Sequence, residues 1–315
     1  MKYSMFKLQF ETGLHAGNGQ LEDSEMTIHA DTLFSALCHQ AIRSGGEALL
    51  SEFVDRTRRG EILLSDAFPY DKTHYYIVKP MIERNFPEEK EQEAGNSERK
   101  KQDKKMKFIP LDAVEEYIGG GLDAKEINRS LKEIGMRELR TQAAVRGEEE
   151  TKPFHVGVYH FREGCGLYLI VGYDNEEAKS LTDGLFESLE FDGIGGKRSG
   201  GLGRFQLFPA KMDPAVAERL EDPNASRYIS LSVCLPAKEE MADALTGASY
   251  ALLRRGGFVQ SEQYASEPRR RKNLYVFQAG SSFSHRFAGD VYDVSSGGKH
   301  PVYRYAKPLM MGVKS

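Results

Sequence analysis

The feature that most constrains the fold of this 315-residue chain is the segment GIGGKRSGGLG at 193–203, in which six of eleven residues are glycine. Glycine lacks the Cβ atom that blocks positive φ and close ligand approach, so backbone N–H groups can converge on an anion. Lys197 and Arg198 add positive charge, and Ser199 adds a hydroxyl. The pattern predicts a phosphate-contacting loop with these residues: Gly193, Gly195, Gly196, Lys197, Arg198, Ser199 and Gly200.

Two common nucleotide-binding motifs do not account for this loop. A Walker A motif needs Ser or Thr after its lysine to hold magnesium, whereas Arg198 follows Lys197. The dinucleotide fingerprint needs a third glycine where Arg198 stands, and the next segment, RFQLF, alternates like a strand. A bound mononucleotide is therefore not expected. The alternative is a flexible hairpin connection, although ordinary hairpin loops have only about 2–5 residues.

The overall composition limits how the chain can contact nucleic acid. It has 43 Lys and Arg against 47 Asp and Glu, a formal net charge of −4, so any contact must rely on local patches. Its cysteines, Cys38, Cys165 and Cys234, lie far apart, without zinc-ligand or disulfide-framework spacing. The start has no apolar h-region, and no apolar run approaches the ~18 residues of a spanning helix. We expect a cytoplasmic protein with no metal site and no membrane partner.

Strand and helix patterns alternate without Rossmann order, which predicts an α+β fold with about two domains. The first domain is predicted at 1–212. It contains a charged stretch at 86–107 without apolar periodicity, which predicts a mobile surface loop. Two prolines and an asparagine predict a linker at 213–227. The second domain, 228–315, is predicted to repeat the first fold.

The clearest helical pattern lies at 31–44, where apolar residues recur on one side. Asp31 is a candidate N-cap and Gly45 a candidate stop. A second helix is predicted at 47–58. Together these signals place two consecutive helices after the first strand.

Four segments carry a family resemblance in addition to GIGGKRSGGLGRF. They are FETGLHAGNGQLEDSEMTIHADTLFSALCHQ from Phe10, the Lys79-Pro80 strand end, RRRKNLYVFQAGSSF from Arg269 and HPVYRYAKPLMMGV from His300. With these segments the chain resembles the RAMP superfamily of CRISPR effector subunits. Within that superfamily it is similar to the fourth subunit of the type III-A Csm complex, over nearly the whole chain.

The resemblance implies tandem ferredoxin-like, RRM-like domains with a glycine-rich loop. It also implies a noncatalytic RNA-binding subunit of antiviral defence, with no cofactor and no small-molecule substrate. The implied partners are the 5′ handle of the CRISPR RNA (crRNA), the large polymerase-cyclase-like Csm subunit and an adjacent Csm backbone subunit.

Two further segments are candidates for RNA contact. The basic run Arg269, Arg270, Arg271 and Lys272 offers an electrostatic track for single-stranded RNA; the alternative is an exposed strand entry. The segment 138–161 resembles the hairpin thumb by which related backbone subunits wedge into crRNA, with Arg140 and Arg146 near its limbs. It departs from the Asn-x-x-Asp-Arg element common there, since QAAVR keeps only the basic end.

His15 follows the first strand, at a place resembling that of the general-base histidine in RAMP endoribonucleases. Those enzymes process precursor crRNA without a metal. Such cleavage also needs an acid for the leaving oxygen and cationic stabilisation of the phosphorane, and no tyrosine or lysine partner can be assigned. We therefore expect His15 to contact RNA or to stabilise the turn, and we expect no catalytic residue. A metal-independent endoribonuclease is the alternative.

Overall fold

The computed structural model describes residues 1–17, 19–72, 74–84, 96–144, 152–261 and 263–314. The helices in these ranges are α1 (Ala30–Arg58), α2 (Asn96–Lys105), α3 (Val114–Ile118), α4 (Ala124–Glu133), α5 (Glu176–Asp192), α6 (Pro214–Glu221) and α7 (Met241–Leu245). The strands are β1 (Lys2–Phe10), β2 (Ile62–Leu64), β3 (Phe68–Asp71), β4 (His74–Val78), β5 (Phe108–Pro110), β6 (Gly135–Ala144), β7 (Lys152–Phe161), β8 (Cys165–Tyr173), β9 (Phe205–Ala210), β10 (Arg227–Ser230), β11 (Leu252–Arg255), β12 (Leu274–Phe277), β13 (Ser282–Phe283), β14 (Asp290–Asp293), β15 (Tyr303–Ala306) and β16 (Met310–Val313).

The largest sheet is antiparallel and has the strand order β5-β4-β3-β8-β1-β9, with β2 also pairing with β8. Along the chain, β1, α1, β3, β8, α5 and β9 follow one another in a βαββαβ order, with the other elements inserted between them. Phe10, at the end of β1, pairs with Phe205, at the start of β9. The residues after β1 therefore meet the glycine-rich segment before β9 at one end of the sheet.

Strand β8 separates two layers of core. All nine of its residues are buried, and successive side chains of a strand point to opposite faces. Leu167 and Leu169 pack with apolar residues of α1 and α5. Tyr168 and Ile170 pack on the other face with residues of β10 and β16. The sheet thus lies between a helical layer and part of the C-terminal half.

The C-terminal half consists of smaller antiparallel sheets, β13-β10-β16, β11-β12 and β14-β15. Some of its apolar residues, including Val276, Val291 and Tyr305, join the core on the helical side. The Tyr305 hydroxyl accepts from the amide of Leu64, 2.8 Å away, and donates to its carbonyl, 3.2 Å away. The two halves of the chain therefore share a core. Within the described ranges, no helix combines the length and apolar character that crossing a bilayer requires.

Helix α1 joins the two helices predicted after the first strand and is kinked at Gly46, where φ is 67°. The assignment of Asp31 as N-cap is wrong, because the helix begins at Ala30, one residue before Asp31. The amide of Ala30 instead donates to the carboxylate of Asp66, 2.8 Å away. A side chain distant in sequence thus caps the helix and leaves Asp31 to other partners.

The prediction of a charged loop at 86–107 is wrong over α2. The carboxylate of Asp103 accepts two hydrogen bonds from Arg84, at 2.8 and 2.7 Å, and Met106 is buried directly after the helix. The helix is therefore held by ion pairing rather than by an apolar stripe, which explains the missing periodicity. Residues 86–95 lie outside the described ranges.

The segment predicted as a linker, 213–227, contains α6. Asp213 caps this helix by accepting from the amide of Ala215, 2.8 Å away. Val216 and Leu220 are buried against the core beneath the large sheet. Pro214 begins the helix and Pro223 follows it. The segment predicted as a linker is therefore largely a packed helix.

A long hairpin is present at the predicted thumb. Its strands β6 and β7 pair in antiparallel register from Gly135 with Phe161 to Ala144 with Lys152. Met136 and Leu139 on β6 are exposed. The hairpin's role as a thumb and its contact with RNA stay predictions.

Candidate nucleic-acid interface

The glycine-rich loop begins where α5 ends. Gly193 leaves the helix with φ at 71°. The amide of Ile194 donates to the carbonyl of Gly203, 2.9 Å away, and the amide of Gly203 donates to the carbonyl of Gly13, 2.8 Å away. A Cβ atom on Gly203 would overlap the carbonyl oxygen of Ile194. The loop is therefore closed on itself and tied to the segment after β1.

Gly195 and Gly196 pack directly on His15. The amide of Gly196 donates to the His15 carbonyl, 2.9 Å away. Gly195 has φ at 97°, and a Cβ atom added to it would lie 2.7 Å from the His15 carbonyl oxygen. A Cβ atom added to Gly196 would lie 2.6 Å from the His15 ring. The protein's own packing therefore requires these two glycines.

Backbone amides of the loop mostly bond within the protein. The amides of Gly200 and Leu202 donate to the carbonyl of Lys197, at 2.9 and 3.4 Å, and the amide of Gly201 donates to that of Arg198, at 2.9 Å. With Gly193, Ile194, Gly196 and Gly203, seven of the eleven loop amides thus have carbonyl partners. The expected convergence of backbone N–H groups on an anion is wrong for these seven, and side chains must supply most of the charge.

Lys197 and Arg198 at the loop tip differ in their freedom. Lys197 is exposed, has φ at 60°, and places Nζ 5.1 Å from the ring centroid of Phe154 on β7. Ser199 and Gly200 are also exposed. Arg198 is partly buried and forms an ion pair with Asp192. Lys197 is therefore the more accessible cation.

Asp192 anchors this side of the loop. Arg43 lies 2.6 Å from its carboxylate, and the side-chain Nε2 of Gln40 donates to it at 3.0 Å. Burial raises the pKa of Asp192, but the hydrogen bond from Arg43 and the charge of Arg198 outweigh it and hold the pKa below its usual value. The carboxylate thus stays ionised and orients Arg198 at the edge of a cleft.

This cleft has a volume of about 2060 Å³ and is bounded by the glycine-rich loop, α1 and the C-terminal half. Among the described residues, ten lysines or arginines line it: Lys79, Arg84, Lys107, Arg198, Arg254, Arg255, Arg270, Arg271, Lys299 and Arg304. Five carboxylates line it: Glu25, Asp31, Glu47, Asp66 and Asp103. The cleft is thus basic in a chain whose net charge is −4.

The predicted basic run is only partly in the cleft. Arg270 and Arg271 line it, whereas Arg269 and Lys272 are exposed and do not belong to the described lining. Arg271 donates through Nε to the carbonyl of Gly256, 3.0 Å away. Burial, and then the charge of a neighbouring arginine, lower the pKa of Arg271 to about 10. The structure thus brings part of this run to the same cleft as the glycine-rich loop.

The sequence did not reveal the ion cluster on the cleft floor. The carboxylate of Asp31 is almost fully buried and accepts from Nε and Nη2 of Arg255, both at 2.8 Å. Arg304 forms a second ion pair with it. The three residues lie on α1, β11 and β15, so the cluster fixes the cleft walls relative to each other. No spacing rule reveals partners this distant.

His15 lies beneath the loop and is buried. Its Nδ1 donates to the carbonyl of Gly157, 2.7 Å away, which fixes the ring against β7. This bond supports the expectation that His15 stabilises the turn after β1. In the described part of the chain, no group of three or more His, Cys, Asp or Glu side chains could hold a metal ion.

The thumb arginines do not join the cleft lining described above. Arg140 donates through Nε to Glu138, 2.9 Å away on the same strand, and its Nη2 lies 3.2 Å from Nε2 of His160. Arg146 lies outside the described residues. The hairpin and the cleft are therefore separate candidate surfaces.

Comparison with known proteins places the chain among CRISPR proteins. A family model of the RAMP superfamily matches residues 7–206, and one of the CRISPR Csm4 C-terminal domain matches 223–313. The "CRISPR system Cms protein Csm4" of Mycobacterium tuberculosis (strain CDC 1551 / Oshkosh) is 35% identical over 314 residues, which cover 99% of this chain and 98% of that protein.

Two solved structures share the fold. The Csm3-Csm4 subcomplex of a type III-A CRISPR-Cas interference complex contains a chain with a TM-score of 0.69 and 18% identity, covering 99% of this chain and 100% of that one. A Csm1-Csm4 cassette in complex with AMPPNP contains a chain with a TM-score of 0.63 and 19% identity, and the match covers 99% of this chain and 98% of that one. The RAMP family model and the 35% identical relative show that the chain belongs to the RAMP superfamily and, within it, to the Csm4 family of CRISPR proteins.

Proposed function

We propose that this chain is a noncatalytic subunit of a type III-A CRISPR effector complex, and that its cleft holds the repeat-derived 5′ handle of crRNA. The observation that carries the proposal is the two-to-one excess of cationic over acidic residues in the cleft of an acidic chain. A concave basic surface raises the local concentration of a polyanion and releases counterions when phosphates bind. Arg198 and Arg271 in the cleft supply charge to the bound strand, and so does the exposed Lys197 beside Arg198 at the tip of the loop.

The proposal extends to assembly. Related Csm4 chains have been solved with Csm3 and with Csm1, which supports a role between an adjacent backbone subunit and the large polymerase-cyclase-like subunit. The βαββαβ order of the large sheet supports a ferredoxin-like N-terminal domain at 1–212. The proposal of a second such domain at 228–315 rests on the family resemblance alone. Such a complex would act in the cytoplasm.

An endoribonuclease is disfavoured because His15 is buried beneath the glycine-rich loop, which limits the access of its ring to an RNA 2′-hydroxyl. General-base catalysis would also need a second group that protonates the leaving oxygen. We propose that the chain binds precursor crRNA and leaves it intact.

The test is the salt dependence of handle-RNA binding by the purified chain. We expect Lys197→Ala/Arg198→Ala to weaken binding and to lower the magnitude of the log-affinity versus log-salt slope by roughly 1.4, at about 0.7 per phosphate contact. The control pair Lys211→Ala/Lys238→Ala removes two exposed charges that lie neither in the glycine-rich loop nor among the residues lining the cleft. Equal slopes for both pairs would contradict the proposal.

The same samples test catalysis. Precursor RNA incubated with the wild-type chain, with and without a chelator, should remain full-length on a denaturing gel. Metal-independent cleavage that is lost in His15→Ala would establish the endoribonuclease instead.

A further inference from the structure

The wall of the cleft formed by the C-terminal half carries an exposed aromatic ring. Phe258 lines the cleft and is 52% exposed. Three exposed large hydrophobic side chains belong to the described lining, namely Leu21, Ile42 and Phe258, and of these Phe258 is aromatic. An apolar ring facing water in a basic cleft costs free energy unless a ligand covers it.

The local backbone fixes the position of this ring. Phe258 forms an antiparallel bridge with Arg270, the amide of Val259 donates to the carbonyl of Arg269, 2.9 Å away, and that of Arg271 donates to the carbonyl of Gly257, 3.0 Å away. The guanidinium carbon of Arg270 lies 5.1 Å from the Phe258 ring centroid. A cation and an aromatic ring thus form one preformed surface.

We propose that Phe258 and Arg270 form a stacking platform for an unpaired base of RNA held in the cleft. This inference rests on the proposed function and adds base stacking to its phosphate contacts. Proteins that bind single-stranded nucleic acid combine a positively charged groove with aromatic side chains on which bases stack, and arginine adds a cation–π contribution. The cleft contains both components.

Stacking and charge differ in their salt dependence. Phe258 carries no charge, so its removal releases no additional counterion and leaves the salt slope unchanged. Arg270 carries charge, so its removal lowers the slope by about 0.7 if it also contacts one phosphate. The platform therefore predicts separate effects for two adjacent side chains.

The experiment measures the affinity of the full chain for a short oligoadenylate and for an abasic ribose-phosphate strand of the same length. Phe258→Leu, which keeps an apolar side chain but removes the ring, should weaken oligoadenylate binding by about 5-fold to 150-fold at an unchanged salt slope. Phe258→Trp should retain binding. Neither variant should change binding of the abasic strand.

The control is Phe208→Ala on β9, which removes a partly exposed ring that does not line the cleft. Wild-type binding that persists unchanged in Phe258→Leu overturns the platform and leaves the proposed function standing. A wild-type chain that binds neither strand overturns both. An equal loss in Phe258→Leu and Phe208→Ala also overturns the platform, because it reports reduced folding rather than lost stacking.

Discussion

Replacing Asp31 with asparagine tests how the cleft walls are held together. The substitution keeps the shape of the side chain and removes its charge. In the wild type, Arg255 donates two hydrogen bonds of 2.8 Å to this carboxylate, and Arg304 forms a second ion pair with it. Asp31→Asn leaves both guanidinium groups near Arg271 without their shared counter-charge.

The burial of the cluster sets the size of the effect. Asp31 is 3% exposed, and removing one partner of a buried ion pair costs about 3–5 kcal/mol, against about 0–1 kcal/mol for a surface pair. We therefore expect the free energy of unfolding to fall by about 3–5 kcal/mol. A typical chain is stable by only about 5–15 kcal/mol, so the variant should fold with a much lower urea midpoint.

The pH dependence gives a second signature. Burial alone would raise the pKa of Asp31, but the charges of Arg255 and Arg304 outweigh it and hold the pKa well below its usual value. A depressed carboxyl pKa stabilises the folded state above the unfolded-state value of about 3.9, and this stabilisation is lost as pH falls toward the folded-state pKa. Asp31→Asn should lack this acid-dependent component.

The assay is urea unfolding at neutral pH followed by far-UV circular dichroism, since the chain has no tryptophan for fluorescence. The matched control is Asp55→Asn, because that carboxylate is exposed and lies 3.7 Å from Arg58. We expect the control to change the free energy of unfolding by less than about 1 kcal/mol. A loss equally small in Asp31→Asn would refute the role of the cluster.

Two more perturbations probe the loop and the core. Gly203→Ala places a Cβ atom against a carbonyl oxygen on a residue with φ at 78°, so it should lower the free energy of unfolding by more than about 1–2 kcal/mol. Gly200→Ala places its Cβ atom in open space and should lower the free energy of unfolding by less. Similar losses for the two variants would contradict the loop geometry. Burial raises the pKa of Cys165 to about 11 and of Cys234 to about 12, so iodoacetamide near pH 8 should alkylate both slowly in the folded chain and rapidly in urea. Labelling at the same rate in both states would show that these thiols are accessible.

The sequence predicted features that depend on local pattern. The glycine-rich segment, the helices of α1 and the hairpin of β6 and β7 all follow from periodicity, turn residues and resemblance, and the structure contains each of them. The positive φ of Gly195 was predictable because only glycine adopts it at low cost.

Features that depend on distant partners could not be predicted in this way. Asp31 is 224 positions from Arg255 and 273 from Arg304, and no periodicity relates them. Helix α2 docks through Asp103 and Arg84, so its sequence lacks the apolar stripe of a packed helix. The internal bonding of the loop amides depends on a tie to Gly13, which only the sheet order brings close.

Photo-crosslinking of handle RNA that carries 4-thiouridine, followed by mass spectrometric mapping, locates the bound strand on the protein. The basic cleft predicts crosslinks within 193–198 and 254–273, which fall in number when Lys197 and Arg198 are replaced by alanine. Crosslinks confined to surfaces outside the cleft, such as the hairpin of β6 and β7, would contradict the cleft as the site that holds RNA.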